Sequence, residues 1–85
     1  MLLMETTQNF LQKFKDFKED AGMLEMFGQI TLKTRSWFKF VRYDDKVHLE
    51  AFIEDKKGNI NKIEEFGSFY FIENRLAQWI VKIDF

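Results

Sequence analysis

The sequence predicts an α+β domain in which one N-terminal helix packs on an antiparallel β-meander of about five strands. Three observations lead there. Phe10, Phe14, Phe17, Ala21 and Leu24 recur at spacings of 4, 3, 4 and 3, which draws one apolar stripe along a helix. After Gly28 the period of the apolar residues falls to two, the signature of strands with one buried face. The segments between the apolar runs are short, which favours hairpins over parallel crossovers of a dozen residues or more.

The helix is expected over about residues 7–21. Leu3 extends its stripe backwards, and Gln12, Lys13, Lys15, Asp16, Lys18 and Glu19 fill the other faces. Thr6 or Thr7 supplies an N-cap hydroxyl, and Gly22 a left-handed stop. Gly28 is a second stop, leaving Met23–Phe27 as a candidate helical turn. Strands follow at about 29–35, 37–43, 46–54, 60–66, 69–73 and 76–84. Arg35 and Ser36 admit either a tight turn between the first two or one long strand bent by a bulge. Asp44–Asp45, Asp55–Asn59 and Asn74–Arg75 read as turns, with Gly58 at a left-handed position and Gly67 at a bend. Val47, Leu49, Ala51 and Ile53 face one way, and His48, Glu50, Phe52 and Glu54 the other. In the last segment Ala77, Trp79, Val81, Ile83 and Phe85 read as one face of a closing strand, and Leu76, Gln78, Ile80, Lys82 and Asp84 as the other.

A chain of 85 residues holds a single domain, 1–85, and one core. It carries 11 Phe, 2 Trp and 2 Tyr, and bulky rings let a small core bury more area per residue. The chain has no Cys, which rules out disulfides and thiolate metal sites and agrees with a cytoplasmic location. With a single His, a zinc site lacks ligands, and no cofactor is expected. Met1–Leu2–Leu3–Met4 is too short for a signal peptide core and has no positive residue before it. No apolar run reaches the roughly 20 residues of a membrane span.

The formal net charge is -1, from 13 basic and 14 acidic residues, too little positive field for tight non-specific binding to duplex DNA. The distribution is uneven, because residues 31–43 carry Lys33, Arg35, Lys39 and Arg42 and no acid.

Chemical motifs are sparse. His48 with Glu50 two residues on is the only imidazole–carboxylate pairing, and no nucleophile accompanies it, so an ordinary surface residue is the simpler reading. The acids at the hairpin ends, Asp44, Asp45, Glu54, Asp55, Glu64 and Glu65, lack calcium-loop spacing and read as a solvated rim. The glycines are scattered, unlike a phosphate-cradling loop.

The strongest candidate is a binding surface formed by Lys33, Arg35, Trp37, Lys39, Arg42 and Tyr43. By alternation Trp37, Lys39, Val41 and Tyr43 share one face of their strand, and Phe38, Phe40 and Arg42 the other. Cations interleaved with rings can stack single-stranded bases, and the same residue types anchor protein interfaces. One helix covers only one side of a sheet, yet apolar residues occur on both faces of several strands, so either Trp37 or Phe38 must point away from the helix. That excess suggests a partner, which includes a second copy of the chain. The expected function is therefore a small non-enzymatic protein-binding module, an inhibitor, adaptor or assembly subunit that covers a partner's surface. The alternative is a single-stranded nucleic-acid binder using residues 33–43. The Phe, Lys, Ile and Asn content also suits an AT-rich genome such as a phage's.

Overall fold

A computed structural model describes residues 7–31 and 35–84. The chain runs α1 (Thr7–Glu19), β1 (Glu25–Thr31), β2 (Arg35–Tyr43), β3 (Lys46–Glu54), β4 (Ile60–Ser68) and α2 (Phe69–Asp84). The strands form one antiparallel sheet in sequence order, β1-β2-β3-β4.

Helix α1 forms where its stripe predicts. Phe10, Phe14 and Phe17 are wholly buried, and the polar residues between them stay at the surface. Its end is set differently. The helix stops at Glu19, and Ala21 and Leu24, expected on the stripe, are exposed in the connection to β1. Gly22 does not take the left-handed conformation. The turn is closed by Asp20, whose backbone carbonyl accepts from Met23 N–H (3.0 Å) and whose carboxylate accepts from Gly22 N–H (3.0 Å). Thr6 lies outside the described residues.

Met23–Phe27 is not a helical turn, since β1 begins at Glu25. Gly28 does not stop an element either. It lies inside β1 opposite Phe38, where an added Cβ would come within 2.1 Å of the Phe10 ring. The missing side chain lets α1 settle onto the strand. β1 and β2 are two paired strands, with Thr31 opposite Arg35, which decides for a hairpin over one bent strand. The turns at 44–45 and 55–59 form as expected. Asp44 (φ 56°) and Gly58 (φ 86°) take the left-handed conformation. The Asp55 carboxylate accepts from the N–H of Lys57 and of Asn59, each at 2.9 Å.

The C-terminal segment departs from expectation. Residues 69–73 and 76–84 are not strands, and Asn74–Arg75 is not a turn; all belong to α2, so the described residues hold a four-stranded sheet and two helices. The physical reason is a second stripe. Phe69, Ile72, Leu76 and Trp79 recur at spacings of 3, 4 and 3 and are buried, whereas Ala77, assigned to the same face as Trp79, is exposed. The hydroxyl of Ser68 accepts from Phe71 N–H (3.1 Å) and caps the helix. Gly67 remains within β4, and the chain turns one residue later.

Both helices lie on one face of the sheet. The core joins their stripes to Met26, Ile30, Phe38, Phe40, Val47, Leu49 and Ala51 on the inward face of the strands. Its centre is a ring cluster: Phe10 packs on Phe38 and Phe14 on Phe40, both with centroids 5.0 Å apart, and Phe17 meets Phe69 at 5.7 Å. Ion pairs tie helix to helix and helix to sheet at the rim. Lys18 of α1 reaches Glu73 of α2 (3.0 Å), and the Arg75 guanidinium grips both oxygens of Glu65 on β4 (2.9 and 3.0 Å from Nε). That hydrogen-bonded carboxylate holds Arg75 charged above its ordinary range.

Candidate binding surface on the open face of the sheet

With both helices on the inward side, no layer among the described residues covers the opposite face of the sheet. Strand alternation decides what it shows. Phe38 and Phe40 point into the core, so Trp37, Lys39, Val41 and Tyr43 point out, together with Phe27 from β1, Phe52 from β3 and Phe66 from β4. Phe27, Tyr43 and Phe66 are more than half exposed, at 57%, 55% and 55%. Trp37 and Phe52 are half-buried by their neighbours.

The antiparallel register sorts these side chains into rows across the strands. Gln29, Trp37, Phe52 and Lys62 make one row, and Phe27, Lys39, Glu50 and Glu64 the next. Glu25, Val41, His48 and Phe66 make a third. Four of the open-face rings lie beside a cation of the same face: Arg35 is 5.5 Å from the Trp37 ring, Lys39 5.8 Å from Phe27, Lys46 5.9 Å from Phe66 and Lys62 6.0 Å from Phe52. Tyr43 meets Phe66 edge-on at 6.1 Å, and with His48 these two line a shallow hollow. Such contacts let the aliphatic stems of Lys and Arg shield aromatic surface while their charged ends stay in water.

Several charges of the face pair with one another. Arg35 bridges to Glu54 (3.1 Å), and Lys62 contacts Glu64 (2.7 Å) and Glu50 (3.4 Å). His48 Nε2 lies 3.6 Å from Glu64, so its carboxylate neighbour comes from β4 and is not Glu50. The Lys62 ammonium, bonded first to Glu64 and then to Glu50, is held charged above its ordinary range, and Glu64 is held below the usual carboxylate range chiefly by its bond from Lys62. These groups are exposed, and solvent screens them strongly.

Of the six residues singled out from the sequence, Arg35, Trp37, Lys39 and Tyr43 are brought together here. Lys33 lies outside the described residues. Arg42 is on the opposite face and closes the end of α1. Its guanidinium donates to the carbonyls of Met23 (2.8 Å) and Asp20 (3.1 Å) and to that of Phe17, while lying 4.8 Å from the Phe17 ring and 4.5 Å from the Phe69 ring. A cation there satisfies carbonyls that a helix end leaves without partners and meets the negative pole of the helix.

Phe27, Phe52 and Phe66 complete the surface and are not among the six residues singled out from the sequence. Phe52 carried a signal, a lone ring alternating with His48, Glu50 and Glu54. Among the described residues, no three His, Asp or Glu converge on a metal-sized site, and no helix is long and apolar enough to cross a membrane. Comparison with protein-family models, with curated proteins and with solved structures finds no significant match to this chain.

Proposed function

We propose that this chain is a non-enzymatic protein-binding module whose partner docks on the open face of the sheet. The observation that supports the reading is the make-up of that face: partly exposed aromatic rings distributed over all four strands, set among charges of both signs. Interface centres favour rings and Arg in such a setting, with a polar rim. A strip that tracks single-stranded nucleic acid needs cations free to meet phosphates, whereas here Arg35 and Lys62 are engaged by carboxylates and Glu25, Glu50 and Glu64 share the surface. By covering a partner's surface the module would act as an inhibitor, adaptor or assembly subunit.

Site-specific photo-crosslinking in the native host tests the reading. A benzophenone side chain placed at Phe52 should yield protein adducts, and the same group at Lys15, exposed on the far side of α1, should not. Truncating Trp37 should weaken the captured complex by about 2–4 kcal/mol. Labelled single-stranded DNA and RNA, titrated at two salt concentrations against wild type and a Lys33→Ala/Lys39→Ala variant, give the opposing outcome. Micromolar, salt-sensitive binding that weakens in the variant overturns the protein reading in favour of nucleic acid.

A further inference from the structure

We propose that the partner on the open face is a second copy of this chain, packed face to face about a two-fold axis that runs along the strands between β2 and β3. The proposal rests on the protein-binding reading and names its occupant.

The argument comes from the register. Along the β2–β3 seam, Arg35 stands beside Glu54, Trp37 beside Phe52, Lys39 beside Glu50 and Tyr43 beside Lys46. In each charged row but the last, β2 carries the cation and β3 the anion. A rotation about an axis along this seam exchanges the two strands. Every β2 side chain then faces the β3 side chain of its own row in the other copy. Arg35 faces the partner's Glu54, Lys39 faces the partner's Glu50, Trp37 faces the partner's Phe52, and Tyr43 faces the partner's Lys46. Each contact occurs twice, as an isologous interface requires. The two Trp–Phe contacts fall beside the axis, between the rows of opposite charge, which is where interface anchors concentrate.

Other placements fit less well. A two-fold axis across the strands through the Lys39 row would set Lys39 on Lys39 and Glu50 on Glu50. The sheet edges are less suited to pairing. On β1 the Lys13 ammonium already holds the Phe27 carbonyl (2.9 Å), and β4 carries Lys62, Glu64 and Glu65, the kind of charge that guards an edge. The face-to-face arrangement keeps the two sheets' strands nearly aligned, as in a β-sandwich. A face four strands wide and some eight residues long has a flat footprint of roughly 500 Å² per chain from strand spacing and rise. With side-chain relief that lies toward the low end of specific interfaces, which suits a dimer that dissociates in the micromolar range.

The test uses charge reversal and mixing, read by sedimentation equilibrium of the full chain. Wild type should form a concentration-dependent dimer. Lys39→Glu and Glu50→Lys should each weaken it at least tenfold, because each sets like charges against one another twice across the axis. An equimolar mixture of the two variants should recover a heterodimer, since the new acid of one chain faces the new base of the other. Within each chain the Lys39–Glu50 neighbour pair is lost whether the variant is alone or mixed, so recovery on mixing reports the contact between chains. Thermal melts establish that both variants fold. A dimer indifferent to the reversals, or no recovery on mixing, overturns the proposal. A monomer at every concentration also overturns it. Crosslinking at Phe52 then separates the two readings: adducts with a different protein leave the protein-binding function standing, and their absence removes both.

Discussion

The two faces of this sheet are both rich in aromatic rings, and they solve the problem of burying them in opposite ways. On the inward face Phe38 and Phe40 are enclosed by rings from both helices, and the charges that touch this ring cluster, Arg42 and the Arg75–Glu65 pair, sit at its rim. On the open face each of Phe27, Trp37, Phe52 and Phe66 has a Lys or Arg for a neighbour instead of another layer. Dry packing gives the first face its stability. The second keeps partly exposed rings in water under a cover of ions that another molecule can displace. Ring content alone therefore does not tell core from interface; the residues that interleave the rings do.

Unequal responses of the two faces to the same kind of substitution can break or sharpen this contrast. The largest effect is expected at Phe14→Ala, which empties space between Phe40, Phe17 and Phe69 and should cost about 3–5 kcal/mol. That is a large share of the stability of so small a domain, and urea unfolding would measure it. Next comes Arg42→Leu. It keeps bulk between the Phe17 and Phe69 rings but leaves the carbonyls at the end of α1 without their charged donor, for an expected loss of about 2–3 kcal/mol. Gly28→Ala should cost about 1–3 kcal/mol, because its methyl group would displace the Phe10 ring, itself fixed against Phe38 and Phe40. On the open face Phe52→Ala removes cross-strand contacts only and should cost about 1 kcal/mol or less. If Phe52→Ala proves as damaging as Phe14→Ala, the open face is a second core and the contrast fails.

The smallest expected effect is electrostatic. Glu64 is held below its ordinary value near 4.5, chiefly by the bond from Lys62. An acid with a depressed folded-state pKa adds stability that is complete above its unfolded value and disappears as pH falls through the folded one. Wild type should therefore lose a small increment on acidification below about that ordinary value. Glu64→Gln should flatten that part of the stability–pH curve, and high salt should shrink the difference.

Legibility in the sequence followed contrast. Phe10, Phe14 and Phe17 stand among Lys, Asp and Gln, so only one period fits, and α1 was readable. Strand β3 alternates without exception from Val47 to Ala51 and was readable for the same reason. The last segment has apolar residues on every side, including Phe71, Ile80, Val81 and Ile83, so a period of two and one of 3.6 both find matches. Only the tertiary choice, Ile72 and Leu76 buried and Ala77 exposed, separates them. The site was half legible. Alternation along β2 groups Trp37, Lys39 and Tyr43 and puts Arg42 on the other side. What Arg42 does there depends on the end of α1, and the contribution of Phe27 and Phe66 depends on strand register. Neither is a local property.

The position of Arg42 also links parts of the chain in time. Its three carbonyl acceptors belong to α1 and the turn after it, yet the residue lies near the far end of β2, beside the β2–β3 hairpin. The last turn of α1 thus acquires its cap only after β1 and β2 have paired beside it, where Arg42 N–H donates to the Leu24 carbonyl (2.8 Å), and both ends of that cap are lost together. Helix end and strand pair should behave as one cooperative unit, with amides near Asp20 exchanging with solvent hydrogen at the rate of the β1–β2 ladder and not at the faster rate of a fraying helix.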